Sequence, residues 1–218
     1  MRALLPTLAL LAPCTALAQS AAPPAGTELH CGQLFDARSG RLLGPHTVSV
    51  REGRIAAVAA GIPAVSGAGA VDLRGHACMP GWTDLHVHLG SQSSPQSYSE
   101  GFRLDPTDYA FRSVGYADKT LMAGFTSVRD LGGGISPHLR DAVNQGLVKG
   151  PRIYAAGKSI ATTGGHADPT NGLNSELEHL LGPPGPTEGV INSPSDARQA
   201  VRQRYKDDSD VIKITATG

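Results

Sequence analysis

The sequence has 218 residues, which suits one ordinary domain or a small domain with part of a larger one. Hydrophobic residues make up 40% and charged residues 17%, a balance that permits a buried core and excludes a wholly disordered chain. Lysine plus arginine equals aspartate plus glutamate at 19 each, so there is no electrostatic reason to expect nucleic acid or an anionic membrane as partner.

The chain opens in the manner of a secretory signal. Arg2 gives a short positive start, residues 3–11 are apolar apart from Pro6 and Thr7, and Ala16-Leu17-Ala18 offers the small residues a signal peptidase reads. The apolar stretch is too short to span a hydrocarbon core of about 30 Å as a helix. Residues 1–18 are therefore expected to be a cleaved signal peptide, with the mature chain periplasmic or secreted and free of the membrane. Pro13 argues against lipidation at Cys14. A Pro/Ala linker covers residues 19–27. Of the remaining cysteines, Cys31 and Cys78, an oxidising compartment permits a disulfide. Spacing alone fixes no geometry, and two free buried thiols are slightly preferred.

Residues 28–80 read as short strands with turns. Residues 47–50 alternate, Arg51-Glu52-Gly53-Arg54 makes a hairpin turn, residues 55–58 resume the strand, and 71–73 follow a Gly-rich turn. So few hairpins cannot close a stable sandwich alone, which predicts part of a small β-sandwich that leans on another part of the chain.

From Gly81 the texture becomes strand, helix, strand, helix. Strands are expected at 83–88, 126–130, 152–156 and 211–217, and helices at 108–122, 137–148 and 194–206, with Asp108 and Ser195 as N-caps. This alternation implies βαβ crossovers and a parallel sheet, hence an α/β fold. Three βα units and a fourth strand amount to half of a (β/α)8 TIM barrel, which usually needs about 250 residues. Residues 81–218 are therefore expected to be the first half of such a barrel, truncated, because half a barrel exposes two strand edges.

The sharpest chemical signal is Asp84-Leu85-His86-Val87-His88-Leu89-Gly90. On a strand, residues two apart share a face, and His86 and His88 stand about 6.7 Å apart along it. They converge on one cation if the strand end curves. A barrel's inward face is normally apolar, so Asp84, His86 and His88 on that face are costly unless something binds them. The competing reading is two hydrogen-bonded core histidines. The second signal is Lys213, flanked by Ile212 and Ile214. Buried lysines lose their charge readily, and a neutral amine can add carbon dioxide to become a carbamate able to bridge two metals. A lysine reaching to the barrel mouth, or paired with Asp210, is the equally weighted alternative.

Five motifs, in order, resemble those of the amidohydrolase superfamily. They are Gly81-Trp82-Thr83-Asp84-Leu85-His86-Val87-His88, Ala123-Gly124-Phe125-Thr126-Ser127-Val128-Arg129-Asp130-Leu131-Gly132-Gly133, Gly150-Pro151-Arg152-Ile153, Thr163-Gly164-Gly165-His166 and Asp210-Val211-Ile212-Lys213-Ile214. More narrowly they resemble its exported Xaa-Pro dipeptidase (prolidase-like) and imidazolonepropionase-like branch, which includes ochratoxin-hydrolysing amidohydrolases. The resemblance implies two divalent cations, zinc being the expected metal, with His86 and His88 on the first and carbamylated Lys213 as the bridge. It implies a substrate or metal-shell contact for His166, for which an ordinary surface-loop histidine is the equally weighted alternative. Asp84 reads as orienting a neighbour rather than binding metal. Arg129 and Asp130, at the end of the second strand, read as a structural ion pair supporting the site rather than as catalytic groups. The other histidines, His30, His46, His76, His138 and His179, are expected to be ordinary surface residues.

The activity implied is hydrolysis of an amide bond in a dipeptide or N-acyl amino acid by a metal-activated water. The family's remaining ligands, two histidines and the general-base aspartate, belong to strands expected after residue 218. No catalytic residue is therefore assigned within the chain, and the fragment alone is expected to be inactive. Hydrolysis of other esters or lactones, or a non-catalytic role, are the alternatives. A small molecule or dipeptide is the expected partner, and homo-oligomerisation of a full-length protein is left open.

Overall fold

The computed structural model describes residues 26–64 and 69–216, so the expected signal peptide, most of the linker and Cys14 lie outside the described residues. Internal contacts divide the chain into two compact units, one ending at Met79 and the other beginning at Pro80.

The first unit is one five-stranded sheet, built from β1 (Thr27–Asp36), β2 (Arg41–Leu43), β3 (His46–Arg51), β4 (Arg54–Ala60) and β5 (Ala70–Cys78). Its path runs β2-β1-β3-β4, antiparallel throughout, with β5 parallel to β1. The β3–β4 hairpin turns at Glu52 and Gly53, both at positive φ (50° and 70°), as the type I′ geometry that matches strand twist demands. His30, Cys31, Thr47 and Val48 are buried, whereas β4 is exposed along its whole length. His30 thus corrects the expectation of a surface histidine: its place in the central strand β1 buries it, with Nε2 3.2 Å from Glu28 Oε2.

Cys31 and Cys78 form a disulfide, which overturns the preference for free thiols. The missing information was the parallel pairing of β1 with β5, strands far apart in sequence. A register shift between Cys31 and Gln33 and the close approach of Arg74's carbonyl to Gly32, where any side chain would collide, draw the strands together. The two Cα atoms end 5.7 Å apart, within bridging range.

The second unit contains β6 (Trp82–Val87), α1 (Ser97–Glu100), α2 (Pro106–Met122), β7 (Phe125–Asp130), α3 (Ser136–Asn144), β8 (Arg152–Ala155), α4 (Ser175–Leu181) and α5 (Pro194–Lys206). The strands form a parallel sheet in the order β6-β7-β8, giving a mixed α/β architecture. Leu89, Ala117, Val128, Leu139, Ile153 and Ala155 form the core between sheet and helices. Among the described residues no helix is long and apolar enough to cross a membrane.

Several boundaries differ from the sequence reading. Helix α2 starts two residues earlier with Asp105 as N-cap, and Asp108 Oδ2 instead accepts the Asp105 N–H at 2.9 Å. Ser193, rather than Ser195, caps α5 by accepting the Asp196 N–H at 3.2 Å. Helix α3 stops at Asn144 because Gly146 adopts φ 71°. The fourth strand is reduced to a bridge between Ile160 and Ile214. Gly157, at φ 65°, turns the chain after β8, so pairing resumes only at Ile160, whose N–H donates to Lys213 O while its carbonyl accepts from Thr215 N, both at 2.8 Å.

The disulfide closes a separation of 47 residues. Reducing it, or replacing Cys78→Ser, is expected to destabilise the first unit by about 2–4 kcal/mol. Denaturant unfolding of oxidised and reduced protein measures this; coincident midpoints would deny the crosslink a stabilising role.

Candidate functional site

A cleft of about 290 Å³ opens in the second unit and gathers His86, His88, Ser159, His166, Lys213 and Thr215 around the Leu131–Gly133 turn. Four residues singled out in the sequence thus line one space. Both histidines of the His-x-His pair are exposed, with ring centroids 5.3 Å apart and ring planes at 61°.

The aim of these rings follows from a break in the sheet. β6 pairs with β7 at Asp84–Val128 and again at Val87–Asp130, with an irregularity between. Backbone groups released there are taken up by side chains. Asp84 Oδ1 accepts the His86 N–H at 2.9 Å, and the Leu85 carbonyl accepts from Arg129 Nε at 2.8 Å. Such irregularities re-aim side chains at strand ends. Leu89 is buried in the core, whereas Leu85 remains 57% exposed.

Arg129 and Asp130 do not form the expected ion pair. Consecutive strand residues point to opposite faces, so Arg129 reaches Leu85 while Asp130 is fully buried. Asp130 Oδ2 accepts the Leu89 N–H at 2.6 Å and Oδ1 accepts the Gly132 N–H at 3.1 Å. Burial pushes the Asp130 carboxyl above its ordinary range, against the opposing pull of those two N–H groups, the Ser136 hydroxyl and the charge of His88.

Lys213 is half-buried beside Ile212 and Ile214, which are 41% and 62% exposed, so the lysine is less enclosed than its isoleucine neighbours suggested. Asp210 is engaged elsewhere: its Oδ2 accepts from Arg140 Nη1 and from Ala155 N, each at 2.8 Å. His166 is exposed on a loop organised by the buried Asp168, whose carboxylate accepts from Gly164 N at 2.8 Å, Thr170 N at 2.9 Å and Thr170 Oγ1 at 2.7 Å. Burial alone would raise the Asp168 carboxyl, but these donors outweigh it and hold it below the ordinary range. Among the described residues no three His, Cys, Asp or Glu side chains stand close enough together to hold a metal ion, and the cleft is lined by three imidazoles, the Lys213 amine and the hydroxyls of Ser159 and Thr215.

The sequence alone assigns no role to Gly132, Ser159 or Asp168. A β-carbon on Gly132 would stand 2.9 Å from His88 Cε1 and 3.0 Å from Nδ1, and Ser159 Oγ donates to the Leu131 carbonyl at 3.0 Å. The available signals were the Gly132-Gly133-Gly134 run directly after a strand and the Asp168-Pro169-Thr170 turn pattern.

Residues 77–218 match the model of the Amidohydrolase family. The chain belongs to the amidohydrolase family. Among curated amidohydrolase relatives, ochratoxinase from Aspergillus niger is 29% identical over 149 residues, covering 64% of this chain and 31% of that protein. Among solved structures, a Xaa-Pro dipeptidase with methionine bound in its active site matches with a TM-score of 0.77 and 39% identity, covering 87% of this chain and 47% of that one. A prolidase complexed with N-methylphosphonate-L-proline matches with a TM-score of 0.69 and 33% identity over 87% of this chain and 46% of that one. The chain therefore spans about half the length of the family members it superposes on.

A carboxyl held low in the folded state stabilises that state above the ordinary carboxylate range, and the contribution is lost as pH falls through its depressed value. The His166 loop is accordingly expected to loosen below about pH 4. Asp168→Ala should show the same loosening at neutral pH. Amide exchange at Gly164 and Thr170 checks both; protection unchanged in the variant would contradict the role given to Asp168.

Proposed function

We propose that this protein is a metal-dependent hydrolase of amide C–N bonds whose substrates are dipeptides or N-acyl amino acids. The observation that carries this is the convergence of His86, His88, His166 and Lys213 on one cleft of a chain belonging to the amidohydrolase family. The superposed dipeptidase and prolidase and the aligned ochratoxinase support the amide class.

The donor types, imidazole and amine, are ones that suit divalent cations. Two imidazoles with centroids 5.3 Å apart face the same open space as the lysine amine, and Gly132 leaves room for the His88 ring. Imidazole suits zinc, the expected metal. In this reading His86 and His88 would hold one ion, and Lys213, once its amine has added carbon dioxide to become a carbamate and so chemically a carboxylate, would supply anionic oxygen donors beside them. Ions so held would lower the pKa of a shared water toward about 7 and polarise an amide carbonyl. Asp84 orients His86 through its backbone N–H, and His166 contacts the substrate from its Asp168-braced loop. The same reading makes the second unit the first half of a (β/α)8 barrel, the first unit part of a small β-sandwich, and the protein an exported one with a cleaved leader.

Bound zinc per chain tests the metal assignment. His86→Ala and His88→Ala are each expected to reduce zinc affinity at least tenfold, and metal retained unchanged by both would overturn it. Hydrolysis of Xaa-Pro dipeptides and N-acyl amino acids, against a phosphotriester and a lactone, tests the bond class; cleavage confined to the last two would refute amide specificity. The same assay checks the expectation that residues 1–218 alone give no turnover.

A further inference from the structure

We propose that Asp130 is a positioning residue for His88, acting through two backbone N–H groups that flank the imidazole rather than by touching metal or substrate. The inference rests on the reading of His86 and His88 as metal ligands and adds to it the device that aims one of them.

The argument begins with the topology. His88 lies one residue beyond β6, where neighbouring strands no longer dictate its direction. What fixes the chain there is a single carboxylate. Asp130 Oδ2 takes the N–H of Leu89, the residue directly after His88, at 2.6 Å. Asp130 Oδ1 takes the N–H of Gly132 at 3.1 Å, and Gly132 is the residue whose missing side chain leaves space for the His88 ring. One fully buried group therefore sets both the backbone that carries the imidazole and the surface the imidazole lies against. The neighbouring contacts on the same β6–β7 seam are one backbone link, Leu131 N donating to Val87 O at 3.0 Å, and one side-chain link, Arg129 Nε donating to the Leu85 carbonyl.

A carboxylate is required because both N–H groups point into one buried spot and need two acceptors. Asparagine offers one carbonyl oxygen and presents an N–H2 group to the other donor. An unmet buried donor then pushes either Leu89 or Gly132 away. Charge-assisted acceptance also makes the pair of bonds strong enough to hold a strand end in place.

The test uses the oxidised 218-residue chain, zinc alone as probe, and competition against a chromophoric chelator. Asp130→Asn is expected to weaken zinc binding by about 10–100-fold, the range found when groups supporting a metal ligand are altered. Gly132→Ala keeps both hydrogen bonds but puts a methyl group where the ring lies, and it should weaken zinc binding in the same direction. In the metal-free chain both substitutions should move the NMR resonances of the His88 ring while those of His30, in the other unit, stay in place. General loss of stability would not produce that selectivity. Should Asp130→Asn fail to fold, Asp130→Glu, which keeps two carboxylate oxygens but moves them by one methylene, decides instead. Shifted His88 ring resonances and weaker zinc binding then support the positioning role, and the absence of both changes removes it. Zinc binding that His88→Ala leaves unaltered removes the metal reading and this inference with it. Binding that depends on His88 yet is unaffected by Asp130→Asn and Gly132→Ala, with unmoved ring resonances, removes the positioning role alone.

Discussion

The irregular pairing of β6 with β7 is the constraint on which the cleft depends. A regular parallel ladder would pair the backbone groups of residues 84–88 that face β7 but would also dictate where each side chain points. Here the ladder is interrupted between Asp84 and Val87, and Asp84 and Arg129 take up the groups it releases. Both bonds are exposed, so Asp84 and Arg129 fix the shape of the interruption rather than rescue buried groups. Sequence and geometry are thus tied at this seam: the residues that permit the bulge are immediate neighbours of the residues it exposes.

A second tie holds the far side of the cleft. Arg140 of α3 is 6% exposed and binds three aspartates, Asp141, Asp208 and Asp210, together with the Asp208 carbonyl. Asp210 also accepts the Ala155 N–H at the end of β8. The segment that leads to Lys213 is therefore anchored before it makes its one bridge at Ile214. A guanidinium suits the position because its planar fork can serve several acceptors at once. Close to β8 a short extended segment with little pairing of its own becomes as well placed as a full strand.

Much of this was legible in the sequence. The alternation of strand and helix after Gly81 gave the parallel sheet, and the His-x-His spacing, Lys213 and His166 all come to one cleft. The sheet, the histidine pair and Lys213 depend on local periodicity, which a chain displays openly, whereas His166 is reached only through the family resemblance. What stayed hidden depends on pairing between distant residues. The disulfide needed the β1–β5 register, the burial of His30 needed β1 to be central, and the separate tasks of Arg129 and Asp130 needed the neighbouring strand to be known. The cap positions shifted because a proline at the first helical turn moves the true N-cap in front of it, to Asp105 and Ser193.

Both sulfurs of the Cys31–Cys78 bridge come from the unit that ends at Met79, and the cleft is built wholly from the other. A thiol count on a purified sample therefore reports only on the unit that ends at Met79. Material with the Cys31–Cys78 bridge formed can still carry a disordered cleft, so quality control on this protein calls for one probe per unit.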